Sequence, residues 1–171
     1  SVNYKDFKAN YVRKELVKNQ RFARIVRQRF SHVWVIDDDI HFPQLTVLSA
    51  FLQSVQSMNP LIAQPAIHGS WQQLVTPDHQ PRGSLCPVWS TDFVEVMAPI
   101  IKSNVLLDIY SRLISQTSNS DWGLDMVWCR YAAKRYRRET TPDRACLIIK
   151  PDGAAPTSSF LYHHDRNLSF H

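Results

Sequence analysis

A short apolar run, His32-Val33-Trp34-Val35-Ile36, breaks off at three consecutive aspartates, Asp37-Asp38-Asp39. No other feature restricts the fold so strongly. Five residues rich in β-branched side chains and bounded by charge read as a strand buried on both faces. Such a strand needs helices above and below it, and the flanking sequence supplies them. Upstream, Phe7, Tyr11, Val12, Leu16, Val17, Phe22, Ile25, Val26 and Phe30 recur every three or four positions among Lys, Arg and Gln, which predicts one helix over the first thirty residues. Downstream, Pro43 suits a helical first turn, and Leu45, Val47, Leu48, Phe51, Leu52 and Val55 form the buried side of a helix that Asn59-Pro60 ends.

The alternation continues. Residues 61–67 predict a second buried strand. Residues 68–91, with Pro77, Pro81, Gly83 and Pro87 among polar residues, predict a long irregular loop, of the kind that is either a functional lid or a disordered segment. Order resumes at Phe93-Val94-Glu95-Val96-Met97, read as extended. Helices are predicted over 102–115 and from about Asp121 to Arg135, a strand over 145–149 and a last strand over 160–164. Strands alternating with helices imply an α/β domain, mostly parallel in its sheet and mixed near the end, with residues 1–171 forming one unit.

Several function classes are excluded by composition. With only 4 Gly, neither common Gly-rich nucleotide loop can be spelled. Three cysteines, Cys86, Cys129 and Cys146, are too few and too spread for a zinc cluster or a disulfide scaffold, and allow at most one bridge. No apolar run approaches the ~20 residues that cross a bilayer. The formal net charge of +5, concentrated at residues 21–29 and 134–138, suits an anionic ligand or solvated helix faces.

Three adjacent carboxylates repel one another unless a cation or donors neutralise them. In an extended segment, Asp37 and Asp39 point to one side and Asp38 to the other. Ligands of open α/β sheets bind beyond the carboxyl ends of strands, where this triplet lies. Hard oxygens there suit Mg²⁺ or Mn²⁺; the alternative is a polar turn in which Asp39 caps the following helix. In Asp121-Trp122-Gly123-Leu124-Asp125, Asp121 is an N-cap candidate and Asp125 falls one turn into the helix, where its positive end favours a carboxylate able to act as a base or simply as a first-turn acid. His163-His164-Asp165 closes the last apolar run, and one of the two imidazoles could complete a metal site or form part of a surface pair.

Read in order, a strand ending in a DxD motif, a WGx[ED] segment and a late His resemble a GT-A-type glycosyltransferase domain. Segments 35–40, 62–66, 93–99 and 122–126 are also similar to an uncharacterised, largely plant family of unknown function, in the same order. The resemblance implies a GT-A-like, Rossmann-like mixed sheet flanked by helices. The N-terminal βα nucleotide-binding units of that fold are expected to be missing, because the chain opens in the helix that leads to DxD: either it is a fragment, or those units have diverged or been lost. It implies that Asp37, Asp38 and Asp39 bind the donor, and that Asp37 and Asp39, with His163 or His164, hold Mn²⁺ or Mg²⁺. It assigns the acceptor to Trp122, Gly123 and Asp125, with Asp125 as catalytic base and Glu95 as a second catalytic candidate or a salt-bridge partner. Asp125 is followed by Met126, where well-known transferases often carry a second acid.

The activity so implied is metal-dependent transfer of a sugar from a nucleotide-diphosphate sugar to a carbohydrate or glycoconjugate hydroxyl, in the Golgi or secretory lumen. No nucleic-acid partner is expected. The alternatives are a non-catalytic carbohydrate-binding or interaction module that keeps the fold, and a metal-dependent phosphohydrolase built on the aspartates.

Overall fold

The computed structural model describes residues 11–38, 40–41, 45–68, 88–114, 123–150 and 161–163. Within them the fold is mixed α/β. The elements in chain order are α1 (Arg13–Lys18), α2 (Gln20–Arg29), β1 (His32–Trp34), β2 (Ile40–His41), α3 (Leu45–Met58), β3 (Ile62–Pro65), β4 (Ile67–His68), β5 (Val88–Ser90), β6 (Ile100–Lys102), α4 (Ser103–Arg112), α5 (Trp128–Arg135), α6 (Pro142–Ala145), β7 (Cys146–Ile149) and β8 (Leu161–His163).

The main sheet has the order β1-β6-β3-β7-β5. Only β3 and β7 pair parallel, with Ile62 opposite Cys146 and Pro65 opposite Ile149. The β1–β6, β3–β6 and β5–β7 pairs are antiparallel. The expected mostly parallel sheet is therefore corrected to a mostly antiparallel one. The short runs at 88–90 and 100–102, which enter against their neighbours, carry too little pattern to declare a direction. A second, three-stranded sheet has the order β2-β8-β4.

Side chains alternate across the main sheet, so each strand feeds two cores. On one face Val33, Val35, Ile62, Ile101 and Cys146 join α4 and α5 through Val105, Leu106, Ile109, Trp128 and Ala132. On the other, Trp34, Ile36, Ala63, Ile100, Leu147 and Ile149 join α3 through Val47, Phe51 and Val55. Trp34 packs on Phe51 with ring centroids 5.0 Å apart. Among the described residues, β1 has β6 as its only strand neighbour, which leaves it half-buried rather than buried on both faces as the sequence predicts. Both its sides are apolar because a helical layer covers each.

The predicted single N-terminal helix is broken at Asn19, whose backbone is extended at φ −79°, ψ 92°. The Asn19 side chain accepts a hydrogen bond from the Phe22 amide at 3.2 Å and so caps α2. α1, before the break, is a π-type turn. The interruption resets the apolar face: Val12 and Val26 are buried, whereas Tyr11, Phe22, Ile25 and Phe30 are exposed. In α3, Val47, Phe51 and Val55 are buried as expected, while Leu45 and Leu52 face solvent. Asn59 ends α3 in the left-handed region at φ 48°, a conformation Asn tolerates. The His32 Nε2–H donates to the Pro60 carbonyl at 2.9 Å and ties the start of β1 to the end of α3. Burial lowers that imidazole's pKa despite the bond, and Lys102 adds to the lowering.

The one bridge that the sequence allows joins Cys129 of α5 to Cys146, the first residue of β7. It closes a loop with a sequence separation of 17. Cross-linking a loop of that size stabilises by about 3 kcal/mol through the unfolded chain. Reductant is expected to lower the unfolding temperature of the native chain and to leave that of a Cys129→Ser/Cys146→Ser variant unchanged, as scanning calorimetry would show.

Candidate functional site

The site is built from one backbone pairing. Beyond β1 and β6 the two chains stay in register: the Val35 amide donates to the Pro99 carbonyl at 3.0 Å and the Asp37 amide to the Met97 carbonyl at 2.8 Å. The Trp34 indole donates to the Ala98 carbonyl at 2.9 Å and clamps the same stretch. Asp37 is thereby fixed, half-buried, at the end of the extended segment. The Ile40 amide then reaches back to the Asp37 carbonyl at 3.4 Å, which closes a turn over the triplet. Asp38 therefore sits in a turn, as in the polar-turn alternative, and not in an extended run. Asp38 sits exposed in the turn, and Asp39 lies outside the described residues.

The turn hands the chain to the second sheet, where Ile40 is paired with His163. The backbone of the late His expected from the sequence thus stands beside the residue that follows the triplet. The side chain of His163, and His164 altogether, lie outside the described residues. Among the described residues no group of three or more His, Cys, Asp or Glu side chains is placed to hold a metal ion. Three of the four expected ligands, Asp39, His163 and His164, are not represented in that set by a side chain. The donor chemistry fits: carboxylates at a strand end with an imidazole-bearing backbone alongside would suit Mn²⁺ or Mg²⁺.

Glu95 lies at the same end of the sheet, in an irregular segment followed by a turn rather than on the strand expected. It is 3% exposed; the sequence offers it either as facing an acceptor or as a salt-bridge partner. Its amide donates to Gln64 Oε1 at 2.6 Å, and Gln64 is fully buried near the end of β3. Sequence reasoning missed Gln64 as a positioning residue. The signal was present, since it is the one polar side chain within the apolar run 61–67.

Asp125 is half-buried and lies ahead of α5, not inside a helix that starts at Asp121. Successive turns carry it, with the Met126 amide bonded to the Gly123 carbonyl at 3.2 Å and the Trp128 amide to the Leu124 carbonyl at 3.0 Å. Gly123 takes φ +84°, which an L side chain rarely adopts, so glycine is required there. Trp122 and Asp121 lie outside the described residues. Val35, Val94 and Leu124, close neighbours in sequence of Asp37, Glu95 and Asp125, all belong to one core cluster. Of the predicted loop at 68–91, His68 and Val88–Ser90 are strand residues, and 69–87 lies outside the described residues.

A second polar cluster was not foreseen. The Asp108 carboxylate accepts from the Tyr131 hydroxyl at 2.7 Å and from Arg112, and Arg135 stands 3.5 Å away. Burial alone would raise the Asp108 pKa, but hydrogen bonds from Tyr131 and Arg112 and the two guanidinium charges hold it below the ordinary value. Burial, with the charge of Asp108, pushes the Tyr136 phenol up to about 12. The i,i+4 spacing of Asp108 and Arg112 was the available signal.

Two outcomes follow from this geometry. Gln64→Leu removes the acceptor of the Glu95 amide and is expected to cost about 1–3 kcal/mol, measured by urea unfolding. Because the folded pKa of Asp108 lies below its unfolded value of 3.8, its contribution is full above that value and is lost as pH falls through the folded pKa. Asp108→Asn is therefore expected to unfold more readily at neutral pH and to lose less stability between pH 5 and pH 2 (round limits, about one unit or more either side of the ordinary carboxylate value). No family model matches the chain, and no curated protein matches it.

Proposed function

We propose that the chain is a GT-A-like domain that transfers a sugar from a nucleotide-diphosphate sugar to a hydroxyl acceptor with the help of a divalent cation. One observation carries this reading. The aspartate turn opens directly into a strand whose first residue, Ile40, is paired with His163 although 123 positions separate the two, which supports a reading in which DxD and the late His share a site. Asp37 and Asp39, with His163 or His164, would hold Mn²⁺ or Mg²⁺. Such an ion supplies charge neutralisation for a departing diphosphate.

The chain's own groups take the remaining roles. The Asp37 amide bond to Met97 and the Trp34 clamp fix the backbone that carries the carboxylate before any ligand arrives. Preorganisation of this kind lowers the ordering cost of binding. Asp125, partly exposed on a rigid turn, is the acceptor-side base, and Trp122 and Gly123 flank the acceptor. Glu95 and Gln64 brace the sheet end between them, a positioning role that fits their burial.

A carbohydrate-binding module without turnover is the second reading.

Calorimetry with Mn²⁺ and UDP or GDP discriminates between the two. Metal-dependent diphosphate binding is expected, weakened more than about tenfold in Asp37→Ala and in Asp39→Ala. Binding that persists with chelator, or no diphosphate binding alongside retained glycan binding, rejects the transferase reading.

A further inference from the structure

A basic surface with grooves in it lies at the other end of the main sheet. The parallel strands β3 and β7 begin just after Asn59 and Arg144, and both residues line a groove of about 600 Å³. A second groove of about 730 Å³ is lined by Tyr131, Lys134, Arg135 and Tyr136. Arg137 and Arg138 line both grooves. Between Lys134 and Arg144 the chain carries five cations, Lys134, Arg135, Arg137, Arg138 and Arg144, against two carboxylates, Glu139 and Asp143.

The local acids are already engaged. Glu139 pairs with Lys102 at 3.4 Å, and Asp143 is held by a hydrogen bond with Thr141. Asp108, on the neighbouring helix, takes Arg112 and Arg135. Lys134, Arg137 and Arg138 make no ion pair among the described residues, and Arg144 shares its charge with the exposed Asp143. The Tyr131 hydroxyl is fixed on Asp108 at 2.7 Å, and the Tyr136 hydroxyl lies 3.4 Å from the Asn104 carbonyl, so both rings are held in place between the cations.

We infer that this double groove binds an acidic polysaccharide, a sugar chain carrying carboxylate or sulfate groups. Guanidinium forks pair with such groups in two-point fashion, and fixed aromatic rings suit the apolar faces of the intervening sugars. Two concave grooves on either side of the Arg137-Arg138 wall fit a linear polyanion better than a flat bilayer. The Cys129–Cys146 bridge fastens α5, which carries Lys134 and Arg135, to the strand that follows Arg144. Disulfides persist in oxidising compartments and outside the cell. There, acidic glycans rather than nucleic acids are the expected linear polyanions. The surface is independent of the aspartate turn and does not require turnover.

Fluorescence anisotropy with the full chain tests this. The probes are labelled heparin and polygalacturonate oligosaccharides, a single-stranded oligonucleotide of equal charge, and vesicles of phosphatidylserine and phosphatidylcholine. At least one oligosaccharide is expected to bind more tightly than the oligonucleotide and the vesicles, and to weaken as salt rises. Arg137→Ala/Arg138→Ala is expected to weaken it at least tenfold, whereas Arg137→Lys/Arg138→Lys retains most of the binding and Asp37→Ala all of it. Arg144→Glu, at an exposed position in the groove of about 600 Å³, provides an independent loss should the double variant unfold. Unchanged affinity in folded variants, failure of both oligosaccharides to bind, or tighter binding of the oligonucleotide or the vesicles overturns the assignment.

Discussion

The pairing of residues 35–37 with 97–99 is the interaction on which the site depends. It prolongs an edge strand past its formal end and sets the height at which the aspartates leave the sheet. Edge strands expose unpaired backbone groups and are prone to slip. Here slippage is opposed on the same residues by the Trp34 indole bond to Ala98, by Trp34 on Phe51, and by burial of Val35 in the opposite core. A shift of one residue would exchange the faces of Val35 and Trp34 and carry Asp37 to the opposite side of the sheet, so register and site stand or fall together.

The two cores divide the work. One gathers α4, α5 and the anchors Val94 and Leu124, and so places the segments that carry Glu95 and Asp125. The other gathers α3 and Ile40, the residue through which the aspartate turn enters the second sheet. Neither core is independent of the sheet, because adjacent residues such as Ile100 and Ile101 point into different ones. A cavity opened in either core therefore reaches the functional end through a single peptide unit.

Much of this was legible in the sequence. The helices at 45–58, 103–112 and 128–135 declare themselves by periodic apolar residues, and the strand at 146–149 by an unbroken apolar run. The direction of the strands was not legible, because three-residue strands have no pattern from which to infer it. The break at Asn19 was hidden as well: apolar spacing runs through it, and a single capping side chain outweighs that spacing. At the site, the resemblance gave the expectation that the aspartates and a late His share a pocket, and the structure pairs the backbones of Ile40 and His163. The turn that folds the triplet back, and the helix start at Trp128 rather than Asp121, depend on individual backbone hydrogen bonds that no spacing encodes. Gln64 and Asp108 were overlooked because a lone polar residue in an apolar run or on a helix carries no motif.

The adjacency of β3 and β7 has an electrical consequence. Both strands rise from the arginine-rich end and finish near the aspartate end, so among the described residues positive and negative charge are separated along the strand axis. A molecule polarised in this way feels a torque in the field of any large anion and turns before contact is made. Encounters with such a polymer would be pre-aligned, with the carboxylate end left pointing outward into solvent.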